Sequence, residues 1–133
     1  MQQALSFDDV LLVPKYSDIE SRKHVDISSA MDAKNKLELP VFASPMDTVS
    51  EVAMANAMSK HGGSAIIHRY NTITEQAHLI GAPVKAGSFV GAAIGVTGDY
   101  LERAAMAREY GASFVCVDVA HGHHSMMERA LAK

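Results

Sequence analysis

A helix-start signature recurs along this chain at nearly even spacing. In the capping-box pattern a Ser, Thr or Asp stands three residues before a Glu, and each side chain bonds a free amide at a helix N-terminus. It occurs at Thr48/Glu51, Thr72/Glu75, Asp99/Glu102 and Ser125/Glu128, with first residues 24, 27 and 26 positions apart. One such match carries little weight, but four in succession point to a repeated unit. Between them lie short apolar runs that open on small residues and a serine: GGSAIIH (62–68), AGSFVGAAIG (86–95) and GASFVCVDVA (111–120). The glycine at each opening suits the left-handed residue that closes a helix. The runs are unbroken rather than alternating, as in parallel strands buried on both faces. LPVFAS (39–44) is a fourth run, ahead of the first helix.

The repeat predicts four strand–helix units: 39–44/48–61, 64–68/72–80, 89–95/99–110 and 114–120/125–133. Val49, Val52, Ala53 and Ala57 place an apolar stripe on the first helix. Leu101, Ala104, Ala105 and Ala107 or Arg108 place one on the third. The fold class is therefore α/β. Units of this size are the modules of an eight-fold β/α (TIM) barrel, which needs about 250 residues. The 133 residues here would supply about the first four units. A doubly wound open sheet is the alternative, but no G-x-G-x-x-G follows any of the strands. Residues 1–38 read as an extension packing on the barrel, with short strands in DDVLLVP and HVDIS. Residues 39–133 read as the first half of the barrel, an incomplete domain.

Composition narrows the function classes. The net charge of −3 comes without any basic block, which argues against nucleic-acid binding. A single cysteine, Cys116, excludes an internal disulfide framework and fits a reducing cytoplasm. Apolar runs such as FVGAAIGV fall far short of the roughly 20 residues of a membrane span. No basic stretch followed by an apolar run marks a signal peptide at the N-terminus. The expectation is a cytoplasmic protein with no nucleic-acid or membrane partner.

In β/α barrels, ligands bind at the carboxyl ends of the strands. Those ends read SPMDT (44–48), HRYN (68–71), GVTG (95–98) and DVAHGHH (118–124), and they gather most of the chemically capable residues. Thr48 reads as a ligand contact or a helix cap, and Met46 as core or as packing against a flat ligand. His68 and Arg69 read as ligand contacts or as a solvated loop. Asp118 is the strongest candidate, because a carboxylate straight after FVCV needs a partner such as a ligand hydroxyl or a cation. Asp118, His121, His123 and His124 invite a metal reading. However, adjacent His123 and His124 are hard to aim at one ion, so no metal site is assigned. Cys116 lies mid-strand on the side of Asp118 and reads as a packed, inert thiol.

These stretches resemble the IMP dehydrogenase/GMP reductase family. The resemblance is carried by LSFDDVLLVPKYS (5–17), SRKHVDIS (21–28), LPVFASPMDTVSE (39–51), HGGSAIIHRYN (61–71), VGAAIGV (90–96) and VDVAHGHH (117–124). It implies an eight-fold β/α barrel and chemistry on purine nucleotides. The dehydrogenase oxidises IMP at C2 with NAD. A cysteine thiolate adds to the base, hydride leaves to the nicotinamide, and water releases XMP. The reductase converts GMP to IMP and ammonia with NADPH. Both divide a hard step by nucleophilic catalysis.

By position, Ser44 and Met46 resemble nucleotide contacts, and Asp118, Val119 and Ala120 resemble the cofactor-binding strand end. Ser21, Arg22 and Arg69 occupy places that face the cofactor in the reductases. An arginine there suits a 2′-phosphate, because it offers planar, bidentate donors. SFDDVLLVP and SPMDTVSE favour the dehydrogenase with NAD. Ser21–Arg22 and Asp118–Val119–Ala120 favour the reductase with NADP, as does the absence of regulatory CBS modules between the second and third strands. The resemblance further implies a homo-oligomer, the family tetramer, and a monovalent cation held outside this chain. It places the catalytic cysteine, the main phosphate loops and the mobile flap beyond Lys133, so no catalytic residue is assigned here. The chain would then be a fragment, a half that pairs with another chain, or a partial gene. A metal-dependent hydrolase half and a non-catalytic assembly module are the readings from other classes.

Overall fold

The computed structural model describes residues 3–133. Four parallel strands form one sheet in chain order: β3 (Phe42–Ala43), β4 (Ser64–Ile67), β5 (Val90–Ile94) and β6 (Phe114–Val117). Helices α1 (Val52–Lys60), α2 (Ile73–Lys85) and α3 (Tyr100–Glu109) connect them, and α4 (Ser125–Leu131) follows β6. Right-handed crossovers in unreversed strand order put successive helices on one face of the sheet. Accordingly α1 packs against α2, and α2 against α3. A doubly wound sheet needs a reversal of strand order, which is absent among the described strands.

Strand register divides the two faces. Ala65, Val90, Ile67 and Ala92 are paired neighbours that point toward the helices. With Ala55, Ile80 and Ala107 they form the buried core. The predominance of alanine lets the helices lie close to the sheet, and Ile67, Ile80 and Val90 each contribute roughly 1.5–3 kcal/mol of burial. On the other face Phe42, Phe89 and Phe114 meet, with ring centroids 5.7 and 5.5 Å apart across Phe114. The Phe114 ring covers Gly91, its register partner, and a Cβ on Gly91 would collide with it. Gly91→Ala is therefore expected to destabilise the chain by about 2 kcal/mol in urea unfolding. A loss below about 0.5 kcal/mol would show that the ring moves aside freely.

The repeated unit is present, but its boundaries shift. Gly62, Gly87 and Gly111 follow the first three helices with φ of 80°, 82° and 91°, a conformation costly for any side chain. Of the four expected capping boxes, the one at Thr72/Glu75 forms, and its bonds hold the Glu75 carboxyl below the usual range. Helix α1 starts four residues after Thr48, which instead sits in a left-handed turn with φ of 60°. Glu51 becomes its cap position and bonds His68. Asp99 keeps the cap position of α3, but its carboxylate accepts from Arg103 Nη2 at 2.9 Å rather than from an amide. Ser125 is the first residue of α4, and His124 Nδ1 accepts from the Met126 amide as the cap.

Other expectations change as well. Helix α2 does not stop at Ile80 but continues to Lys85, and it carries Pro83 in its last turn with the ring buried. The buried side of α1 centres on Ala55, off the expected stripe, whereas that of α3 centres on Arg103 and Ala107, so that Ala107 lies as expected while Leu101 and Ala105 are exposed. Burial on both faces holds for β5 but not for β6, which has no second neighbour among the described residues. Strands in DDVLLVP and HVDIS do not form. Those stretches carry single 3-10 turns at Phe7–Asp9 and Arg22–His24, and Leu11 and Leu12 are almost wholly exposed. The ladder in this region lies further on, where β1 (Ser29–Ala30) pairs antiparallel with β2 (Lys36–Leu37). No helix among the described residues is long and apolar enough to cross a membrane.

Candidate functional site at the strand ends

The parallel strands deliver their polar residues to one edge of the sheet. After β3 the chain makes a tight turn. The Met46 amide donates to the Ser44 carbonyl at 2.8 Å, and the Val49 and Ser50 amides both donate to the Met46 carbonyl. Ser44 is exposed, and Met46 is 56% exposed, so Met46 is not a core residue. Thr48 does not cap a helix, and its hydroxyl is free of that duty.

Arg69 and Asp118, which are 49 residues apart in sequence, are brought together. Arg69 follows β4 and reaches over Gly95, at the end of β5, to the end of β6. Its Nε donates to Asp118 Oδ2 at 3.4 Å and its Nη2 to the Asp118 carbonyl at 3.1 Å. Both side chains are about one-third exposed, which leaves polar atoms for a ligand. The Asp118 amide is tied to the Ile94 carbonyl at 2.8 Å, which continues the ladder and fixes where the carboxylate starts.

His68 turns away from this pair. Its ring is 3% exposed, with Nε2 3.3 Å from Glu51 Oε1 and 3.7 Å from Asp47 Oδ1. These three groups could meet at one cation, and the metal reading of Asp118 with the three later histidines overlooks them. Their trace in the sequence is Asp47 and Glu51 four apart, ahead of a strand that ends in histidine. The second ring nitrogen decides the chemistry. His68 Nδ1 accepts the Tyr70 amide at 3.2 Å, so in the neutral ring the proton sits on Nε2 and points at the carboxylates. A metal-bound histidine instead donates from its second nitrogen. The cluster is a hydrogen-bonded brace. Beside it a cleft of about 510 Å³ opens between the starts of α1 and α2, lined in part by Asp47, Tyr70, Glu75 and His78.

Other sequence candidates stay apart. Ser21 caps the 3-10 turn of Arg22, and among the described residues neither bonds Arg69 or Asp118. Val119 borders a small cleft of about 200 Å³ with Val96, His121, His124 and two methionines, and Ala120 is exposed. Cys116 pairs with Ala93 in the sheet, and burial followed by the charge of Asp118 pushes its thiol pKa up. An activated nucleophile needs the opposite shift.

The arrangement defines a class: a parallel β/α protein that gathers its polar groups at the carboxyl ends of its strands, where such enzymes bind ligands. The chain belongs to the IMP dehydrogenase / GMP reductase domain family, whose sequence profile matches residues 4–133. It is similar to an inosine-5'-monophosphate dehydrogenase of Nitrosopumilus maritimus (strain SCM1), 46% identical over 87 residues, covering 65% of this chain and 18% of that protein. A GMP reductase of Leishmania donovani is 39% identical over 90 residues, covering 68% and 18%. An inosine-5'-monophosphate dehydrogenase of Staphylococcus aureus (strain MW2) is 47% identical over 76 residues, covering 57% and 15%. The matches thus span less than a fifth of the length of these relatives.

Proposed function

We propose that this chain provides the first four β/α units of an eight-fold barrel that acts on purine nucleotides, with IMP dehydrogenation as its reaction. The supporting observation is that Ser44 and Met46 follow β3, Arg69 follows β4 and Asp118 follows β6, all at the carboxyl ends of parallel strands, with Arg69 bonded to Asp118, within a family whose relatives bear the dehydrogenase name. Ser44 and Met46 would contact the nucleotide, with Met46 offering a polarizable surface to a flat base. Asp118 would accept ribose hydroxyls of a nicotinamide dinucleotide, which supplies hydride transfer when bound. The donor set fits such a group: a fixed carboxylate and a planar guanidinium, both partly exposed.

The second reading is GMP reduction with NADP. It is favoured by Arg69, whose fork beside Asp118 suits a 2′-phosphate. The Leishmania relative carries the reductase name.

The test is a titration of the isotope-labelled chain by NMR. IMP is expected to shift the amides of Ser44 and Met46, and a nicotinamide dinucleotide those of Asp118, Val119 and Ala120. Absence of both responses at millimolar ligand would defeat the reading. The same chain is expected to leave nicotinamide absorbance unchanged with IMP and NAD, and with GMP and NADPH. The one cysteine present, Cys116, is a strand residue with a raised thiol pKa. A measurable rate with either pair would mean that the nucleophile has been misplaced.

A further inference from the structure

The turn from Ser44 to Ser50 adopts a shape that its own residues do not favour. Thr48, a β-branched residue, sits at φ 60°, where such residues are outliers. A conformation of that kind persists when its surroundings over-determine it. Two groups on the protein side do so. Ser50 is fully buried, and its hydroxyl donates to the Ser44 carbonyl while its amide donates to the Met46 carbonyl at 3.0 Å. The turn is thereby closed on itself from behind. His68 forms the second tie. The Tyr70 amide at Nδ1 orients the ring, and Nε2 faces Glu51 and Asp47 on either side of Thr48 and Val49. Ser50 and His68 are both buried, whereas Ser44 and Met46 are exposed.

We propose that Ser50 and His68 are positioning residues, which hold Ser44 and Met46 in the geometry that meets the nucleotide without touching it themselves. This rests on the reading of Ser44 and Met46 as nucleotide contacts. It makes His68 a support of the site, although its place at a strand end suggests a ligand contact.

The full chain serves for the test, with Ser50→Ala and His68→Phe as disrupting variants and Ser50→Thr and His68→Gln as variants that retain a donor. In nucleotide-free protein, amide hydrogen exchange at Val49 and Ser50 is expected to rise about tenfold in the disrupting pair, as for loss of one buried hydrogen bond. Exchange at Ala92 and Ile94 in β5 should stay unchanged, and the conservative pair should restore protection. IMP binding, followed at the Ser44 and Met46 amides, is expected to weaken about tenfold in the disrupting pair and to recover in the conservative pair. Unchanged exchange at Val49 and Ser50, or an equal rise in β5, would overturn the positioning role. An unmodified chain that ignores IMP overturns the nucleotide reading instead, and the exchange measurements still decide whether the brace exists.

Discussion

Gln76→Leu is expected to lower the unfolding free energy by about 3 kcal/mol, although it replaces a polar side chain with an apolar one of similar size. Gln76 is 1% exposed, and its Nε2 lies 2.8 Å from the Ala93 carbonyl, 3.0 Å from that of His68 and 3.3 Å from that of Ile67. It therefore ties the carboxyl end of β4 to that of β5 from within α2. Its Oε1 accepts from Arg103 Nη1 at 3.1 Å, and Arg103 continues to the Asn71 carbonyl and the Asp99 carboxylate. Leucine would strand buried acceptors at the strand ends and one donor of a nearly buried guanidinium, and each orphan costs about 1–3 kcal/mol. The thermal midpoint should fall by roughly 10 °C for a chain of this size. Adding Arg103→Met should cost less than the sum of the two single changes, because each removes a partner that the other needs. A single-variant loss below about 1 kcal/mol would show that water or a shifted side chain satisfies the orphans.

That network marks where sequence reasoning stops. The repeat was legible because a β/α unit imposes local demands: a short apolar strand, a helix, and a glycine at positive φ to close it. Gly62, Gly87 and Gly111 meet them from within their own few residues. The caps were less legible because acidic residues have competing partners. Glu51 is taken by His68, 17 residues on, and Asp99 by Arg103 on its own helix. Helix orientation was legible at Ala107 of α3 and missed on α1 for a related reason. In an alanine-rich helix such as α1 the apolar pattern is nearly uniform, so packing of Ala55 and Met58 decides the buried side. Arginine at 103 reads as solvated until its partners Gln76, Asn71 and Asp99 are seen together. At the site, Asp118 was legible because a carboxylate after an apolar strand demands a partner. That the partner is Arg69, two strands away, follows from strand order and from the small residue Gly95 between them. The strand-end position of Ser44 and Met46 followed from the repeat, but their role rested on likeness, as did that of Ser21 and Arg22, which have no bond to Arg69 or Asp118 among the described residues.

Arg69→Leu separates the two roles that its position allows. If the guanidinium serves only to balance Asp118, its removal should affect both nicotinamide dinucleotides alike and weakly. An ion pair one-third exposed on each side is worth about 1 kcal/mol or less. If it receives a 2′-phosphate, the loss should be selective. Binding of NADPH is expected to weaken by roughly 30-fold, the scale of one charge-assisted, bidentate contact, while NADH changes by less than about threefold. Arg69→Lys should fall between, because it keeps the charge and loses the planar fork. Asp118→Asn provides the complementary result: both dinucleotides should weaken by about tenfold, since the charge and one of the two acceptor oxygens facing the ribose hydroxyls are lost whichever phosphate is present. Calorimetric titration of the unmodified chain and the three variants with each dinucleotide reads these differences directly. Equal, small losses in Arg69→Leu would return Arg69 to charge balance and favour the dehydrogenase reading with NAD. A selective loss would favour the reductase. Indifference of both dinucleotides to both positions would remove the cofactor from this strand end, because Arg69 and Asp118 are the charged groups that the fold places there.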